Sequence, residues 1–161
     1  MSAKLDKKDL EILDMLQRNC KLTTKEIARQ IDSPVTTVFA KIKRMEELGI
    51  IKAYKAVLDA KKLEKGTTAF VLVSFSYRTV GSEASQRQIA KEISKFPEVQ
   101  EVHIITGDWD ILVKIKAKDV DAIGEFIVDK LRTLRGIEKT LTCMVFDSLK
   151  ESTDIVLEKP K

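Results

Sequence analysis

The sequence predicts an α+β chain in two parts, a three-helix N-terminal unit and a βαββαβ sheet domain. Three observations carry that prediction. Two helix-start signals, at Thr23 and Ser33, stand close together and are followed by Gly49 and an extended run. A charged stretch, LDAKKLEKGT over 58–67, then breaks the pattern. Beyond it, alternating β-branched segments and segments of helical spacing follow in the order β-α-β-β-α-β.

The first helix is expected within Leu5 to Asn19. Asp6 is its N-cap with Asp9 three residues on, and Leu10, Leu13 and Leu16 recur at helical spacing. Thr23 and Glu26 form a Thr-x-x-Glu capping box, so a second helix begins at Thr24. Ser33 offers another N-cap oxygen with Pro34 at the first helical position, which predicts a third helix over Pro34 to Leu48. In it Val35, Val38, Ile42 and Met45 form the packing face, leaving Thr36, Thr37, Ala40, Lys41 and Arg44 opposite. Gly49 suits a left-handed helix end, and Ile50 to Leu58 reads as a strand carrying Lys52, Tyr54 and Lys55. Helix, turn, helix and strand in this order describe a winged helix-turn-helix. Such a unit buries little area by itself, so a partner surface, supplied by dimerisation, is expected to support it.

In the second part, TAFVLVSFSY (Thr68 to Tyr77) places Ala69, Val71, Val73, Phe75 and Tyr77 on one face of a strand. Glu83 to Phe96 reads as a helix ended by Pro97. Val99 to Thr106 and Ile111 to Ala117 read as a hairpin joined by Gly107-Asp108-Trp109-Asp110. Val120, Ile123, Ile127, Leu131 and Leu134 mark a further helix, and Ile137 to Phe146 a last strand. This is the ferredoxin-like order, with both helices on one face of an antiparallel sheet. Phe75, Tyr77 and Val113 look too apolar for a solvated face, which predicts two sheets packed between subunits. The expected organisation is a DNA-binding domain over 1–58, a linker over 59–67, a sheet domain over 68–150 and a tail over 151–161. The tail is open between a strand that crosses to a partner and a loose end.

Composition excludes several classes. No apolar run is long enough to span a bilayer and the N-terminus has no secretory signal, which predicts a cytoplasmic protein. Cys20 and Cys143 lack cysteine or histidine companions, so no zinc site, disulfide or other metal centre is expected. His103 is the only histidine and sits in a predicted strand, which leaves no Ser/His/Asp or Cys/His arrangement, and no Gly-rich phosphate loop is present. No cofactor and no enzyme activity are expected. Net charge is +4, and residues 1–60 hold 12 basic against 9 acidic side chains, whereas the rest hold 17 against 16. The excess therefore lies with the helix-turn-helix, clustered at Lys41, Lys43, Arg44, Lys52 and Lys55.

The third helix, Pro34 to Leu48, is therefore expected to lie in the major groove of double-stranded DNA, the alternative being a solvated helix face in a winged helix that binds protein. Ser33, Thr36, Thr37, Ala40, Lys41 and Arg44 face the duplex; Thr36, Thr37 and Ala40 are short enough to approach bases, and Arg44 or Lys41 reaches guanine. Lys43, Lys52 and Lys55 suit phosphate.

LDKKDLEILDMLQRN before the motif, EELGIIKAY after it and a βαββαβ domain containing GDWD together resemble the Lrp/AsnC, or feast/famine, family over residues 4–150. The resemblance implies a transcription regulator, dimeric or higher, with a homodimer that assembles to an octamer expected and a dimer or tetramer left open, whose second domain binds an amino acid or similar effector. Trp109 stands where the family carries tyrosine, and Asn19-Cys20-Lys21 where it carries Asn-Gly-Arg or Asp-Gly-Arg. By that resemblance Gly107, Asp108, Trp109 and Asp110 border the effector, and Thr140 and Thr142 offer hydroxyls from one face of the last strand. The turn's amides and carboxylates suit an amino acid's two charges, although a plain hairpin turn explains GDWD equally well without the family. Two other functions fit the same layout: an effector-free protein that compacts DNA, and a tetrapyrrole decarboxylase-like enzyme.

Overall fold

The computed structural model describes residues 4–76 and 85–158. Tyr77 and Glu83, assigned above to the first strand and the following helix, lie outside the described residues. The chain divides into two compact units, one of residues 1–57 with 150–161 and one of residues 58–149.

The first unit holds α1 (Lys7–Arg18), α2 (Thr24–Gln30) and α3 (Val35–Glu47). The expected Thr23 capping box forms, and the expected N-cap Asp6 makes a reciprocal box with Asp9 as well. Asp9 N–H donates to Asp6 Oδ1 and Asp6 N–H to Asp9 Oδ2, each at 2.9 Å. Thr23 N–H donates to Glu26 Oε2 at 2.7 Å and Glu26 N–H to Thr23 Oγ1 at 3.2 Å. The core is Ile12, Leu16, Ile27, Ala28, Val38 and Met45, with Leu13 and Ile42 packed against it. Gly49 ends α3 with φ +68°, the left-handed geometry its missing Cβ makes cheap.

Two expectations for this unit are corrected. Ser33 does not cap α3: Pro34 takes the cap position, at φ −58° and ψ 139°, with no side-chain cap bond, and Ser33 Oγ instead accepts from Lys8 Nζ at 3.2 Å. The segment Ile50 to Leu58 is not a strand. Ile50 and Ile51 N–H both donate to Met45 O, and the chain over 52–59 is exposed and without regular secondary structure, with no ladder among the described residues. Alternating side chains favour a strand only where a second backbone is present to pair with it.

The second unit is a four-stranded antiparallel sheet, β1 (Thr67–Phe75), β2 (Val99–Ile104), β3 (Ile111–Ala117) and β4 (Ile137–Met144), in the order β2-β3-β1-β4. Helix α4 (Gln86–Ile93) and the helical segment beginning with α5 (Val120–Glu125) cover one face. The predicted single helix over 120–134 is a composite, widening to a π turn over Phe126–Lys130 and tightening to a 3₁₀ turn over Leu131–Thr133. An i to i+5 turn keeps Phe126 and Leu131 on the same side, and both are buried against the sheet. Phe96 meets the Phe126 ring edge-to-face at 5.5 Å.

The sheet's two faces are not as the apolar count suggested. Phe75 and Val113 lie on the helix-covered face with Ala69, Val71, Val73, Ile111 and Ile115, all buried within this one chain. They therefore supply no reason for sheet-to-sheet packing. The opposite face, given by the register, carries the pairs Leu72–Leu112 and Leu72–Leu141 and the pairs Phe70–Lys114 and Phe70–Cys143. Among the described residues no helix is long and apolar enough to cross a membrane.

Candidate nucleic-acid interface and effector loop

At about 100° per residue, the core-facing side chains Val38, Ile42 and Met45 leave Thr36, Ala40 and Lys43 on the far side of α3. All three are exposed, as are Thr37 and Arg44. Thr36, Thr37, Ala40, Lys41 and Arg44 together line a shallow depression of about 410 Å³, so the five expected side chains do share one surface. Ser33 sits apart from them. It lines a second depression, of about 490 Å³, with Lys25, Ala28, Arg29, Asp32, Pro34 and Val35 at the turn between the helices. Lys52 and Lys55 are exposed on the irregular segment after Gly49. Tyr54 in that segment donates its hydroxyl to Glu46 Oε1 at 2.7 Å, which holds the segment to the end of α3. Burial, reinforced by the Glu46 carboxylate, pushes the Tyr54 phenol up to about 12.

The two cations nearest the core are not alike. Lys41 points toward α1, where its ammonium meets Asp6 Oδ2 and Asp9 Oδ1, the latter at 2.9 Å, and its side chain is 18% exposed. Burial alone depresses a lysine pKa, but the two carboxylate contacts outweigh it and hold Lys41 above its ordinary value. The same contact from Lys41 holds the Asp6 carboxyl below its ordinary value. Arg44 places Nη2 on Asp9 Oδ2 at 2.8 Å and keeps its side chain 49% exposed. Sequence reasoning gave Asp9 a cap role alone. Its second role is invisible to local pattern, because the partners lie 32 and 35 residues away.

In the sheet unit the hairpin turn comes where Ile105 N–H donates to Asp110 O and Asp110 N–H donates to Val73 O. Gly107 takes φ +119°, which a side chain would strain. Asp108 is exposed and Trp109 half-buried. Asp110 is engaged: Oδ2 accepts the Phe75 N–H at 2.7 Å, and Oδ1 accepts from Gln86 Nε2 at 3.3 Å. It fastens the hairpin turn to the end of β1 and the start of α4. Thr140 and Thr142, both half-buried, lie opposite Val73 and Val71 and so on the helix-covered face. Thr140 is at the same end of the sheet as the hairpin turn, separated by β1, which puts it about 10 Å from Ile111 at the usual strand spacing. Among the described residues no group of three or more His, Cys, Asp or Glu could hold a metal ion.

Residues 5–52 match the winged helix-turn-helix DNA-binding family, and residues 68–155 match the Lrp/AsnC ligand binding domain family. Over 151 residues the chain is 40% identical to an HTH-type transcriptional regulator of Pyrococcus abyssi, covering 94% of this chain and 99% of the relative. It is 27% identical to the leucine-responsive regulatory protein of Klebsiella pneumoniae over 154 residues, 96% of this chain and 92% of that one. The fold is similar to that of a transcriptional regulator from Neisseria meningitidis solved with L-Met. There the TM-score is 0.86 at 28% identity, covering 95% of this chain and 97% of that chain. Helix-turn-helix and βαββαβ sheet are thus matched in order along one polypeptide, and the chain belongs to the Lrp/AsnC family of transcriptional regulators, with a DNA-binding domain ahead of a ligand-binding domain.

Proposed function

We propose that this regulator acts in the cytoplasm as a sequence-specific DNA-binding dimer or larger assembly, that an amino acid or similar small molecule modulates it, and that it catalyses no reaction. The observation that carries the DNA reading is the exposed face of α3, where Thr36, Thr37 and Ala40 share one depression with Arg44. Short side chains there let a helix approach base edges, and Lys43, Lys52 and Lys55 stand exposed for phosphate. The sheet face bearing Leu72, Leu112 and Leu141, with Leu141 half exposed, supports pairing of two copies. The relative solved with L-Met supports an amino-acid effector, for which exposed Asp108 and the adjoining Gly107 amide are the expected contacts, with Trp109, Thr140 and Thr142 nearby.

Selection from a random duplex pool with purified protein, followed by footprinting, tests the DNA reading. A two-fold dimer should enrich a palindrome with half-sites about one helical turn, or a multiple of it, apart. Thr37→Ala should relax discrimination at one position of each half-site, and Lys43→Ala should weaken all duplexes alike while reducing the salt slope by about 1. A pool that stays random after repeated rounds refutes sequence reading. Titration calorimetry with the twenty amino acids, repeated on Asp108→Ala, tests the effector; no heat with any of them refutes that half.

A further inference from the structure

Asp6, Asp9, Lys41 and Arg44 make a closed set of charges between the start of α1 and the exposed face of α3. Asp9 is the one charged side chain among the described residues that is fully buried. A buried carboxylate is tolerated only when its oxygens are answered, and here both are. Oδ1 takes the Lys41 ammonium, while Oδ2 takes Arg44 Nη2 and the Asp6 N–H. The two cations are left in different states. Lys41 has two of its three ammonium hydrogens directed at carboxylates and little surface remaining. Arg44 is joined to Asp9 through one nitrogen of its five-donor fork, and it is half exposed in the depression that Thr36, Thr37 and Ala40 also line.

We infer that Asp9 is a positioning residue for DNA recognition: it fixes the Arg44 guanidinium so that the remaining edge meets a base, while Lys41 is an internal strut and not a groove contact. The inference rests on the reading that α3 enters the major groove. Anchoring an arginine by one nitrogen removes rotamer freedom before the complex forms, so less is lost on binding, and the fork's planarity then sets its direction. A second, electrostatic effect follows from the same arrangement. Asp6 and Asp9 cancel the charge of Lys41 and Arg44, so this part of the face discriminates without attracting phosphate indiscriminately.

This yields opposite signs for two measurable affinities. Asp9→Asn removes a negative charge and releases the guanidinium. Binding to a non-specific duplex should therefore hold or rise, while the ratio of specific to non-specific affinity falls by roughly tenfold, within the range a bidentate arginine contact supplies. Damage to the fold alone would lower both affinities together. In an Arg44→Ala background, Asp9→Asn should leave the ratio where Arg44→Ala already put it. The experiment is fluorescence anisotropy of the full chain on its selected duplex and on a scrambled one over several salt concentrations, with circular dichroism to verify the fold. Equal losses on both duplexes in folded Asp9→Asn, or an unchanged ratio in Arg44→Ala, overturn the inference. If Asp9→Asn does not fold, Arg44→Lys at intact Asp9 decides. It keeps the charge but loses the fork, so a retained ratio overturns the inference and a roughly tenfold drop supports it. Lys41→Gln should leave the salt slope in place; a slope reduced by about 1 returns Lys41 to the groove. A wild-type chain that shows no preference among duplexes refutes the groove reading itself, whereas a preference that survives Asp9→Asn undiminished refutes only the role given to Asp9.

Discussion

Replacing Asp110 by alanine separates a structural carboxylate from a ligand-binding one. The carboxylate accepts the Phe75 N–H at 2.7 Å and the Gln86 amide at 3.3 Å, and both contacts are partly buried. A hydrogen bond to a charged acceptor contributes about 1.5–3 kcal/mol, and the longer amide contact adds a few tenths, so the substitution should cost about 2–3 kcal/mol. For a domain of this size each kcal/mol lowers the melting temperature by about 4–8 °C, giving an expected drop on the order of 8–24 °C. Trp109 is the only tryptophan and sits beside the mutated position, so its fluorescence reports unfolding of this unit selectively. Asp108→Ala is the control. Asp108 is exposed, and the substitution should stay within about 0.5 kcal/mol of the wild type. If Asp110→Ala melts with the wild type, the fastening role assigned to this carboxylate is wrong. If effector heat vanishes in Asp110→Ala without loss of stability, the ammonium of the ligand belongs on Asp110 after all.

Three other outcomes are expected. In Tyr77→Phe, which leaves one tyrosine, absorbance near 295 nm should titrate with a midpoint close to 12 instead of 10. Because the folded value is the higher one, the stability linked to the Tyr54 phenol is complete below pH 10 and disappears as pH climbs through the folded midpoint; a midpoint at 10 refutes the burial of the phenol against α3 together with its Glu46 contact. The Lys130 ammonium holds the Glu98 carboxyl below its ordinary 4.5, so this pair stabilises above that value and its contribution is lost as pH falls through the lower, folded value. Acid unfolding of Lys130→Met should accordingly show a flatter limb below pH 4.5, and an unchanged limb rejects the pair. Finally, Gln17 Nε2 donates to Ile155 O and Gln17 Oε1 accepts the Ile155 N–H, both at 3.0 Å, which ties the tail to α1. Gln17→Ala should raise hydrogen exchange at Ile155 and speed proteolysis of residues 150–158; unaltered exchange means that the tail is held elsewhere.

Local chemistry made much of this molecule legible. The capping boxes at Asp6 and Thr23 need only residues three apart, and β3 runs over the predicted Ile111–Ala117, because a period of two with one buried face tolerates no slip. The α3 face was readable for the same reason at Thr36, Thr37, Ala40 and Arg44, whereas Val35, expected to pack, is 46% exposed and Lys41 turns to α1. What escaped was everything decided by a distant partner. The segment after Gly49 has strand-like residues and no strand beside it, Asp9 meets cations more than 30 residues away, and Asp110 looks like a turn residue until the Phe75 amide is seen above it. The sheet's faces were misassigned because counting apolar residues along a strand does not say which side the chain's own helices will cover. Val113 and Phe75 belong to the covered side, and Leu72 and Leu112 to the other.

The internal charge set also bears on why such a regulator would act through more than one copy. On the proposed groove reading, with Lys41 and Arg44 answered by Asp6 and Asp9, attraction to phosphate would fall to exposed Lys43, Lys52 and Lys55 and to Lys25 and Arg29 beside the α2–α3 turn. Five phosphate contacts correspond to a salt slope of about −4.5, and raising salt from 50 to 200 mM would then weaken one copy's binding by several hundredfold. Two copies held together double that slope and multiply the discrimination of each α3, so occupancy becomes steeply dependent on how the two helix-turn-helix units are spaced. An effector that favours one spacing over another therefore needs only modest differential affinity to change occupancy, and it can do so without touching a residue that reads DNA.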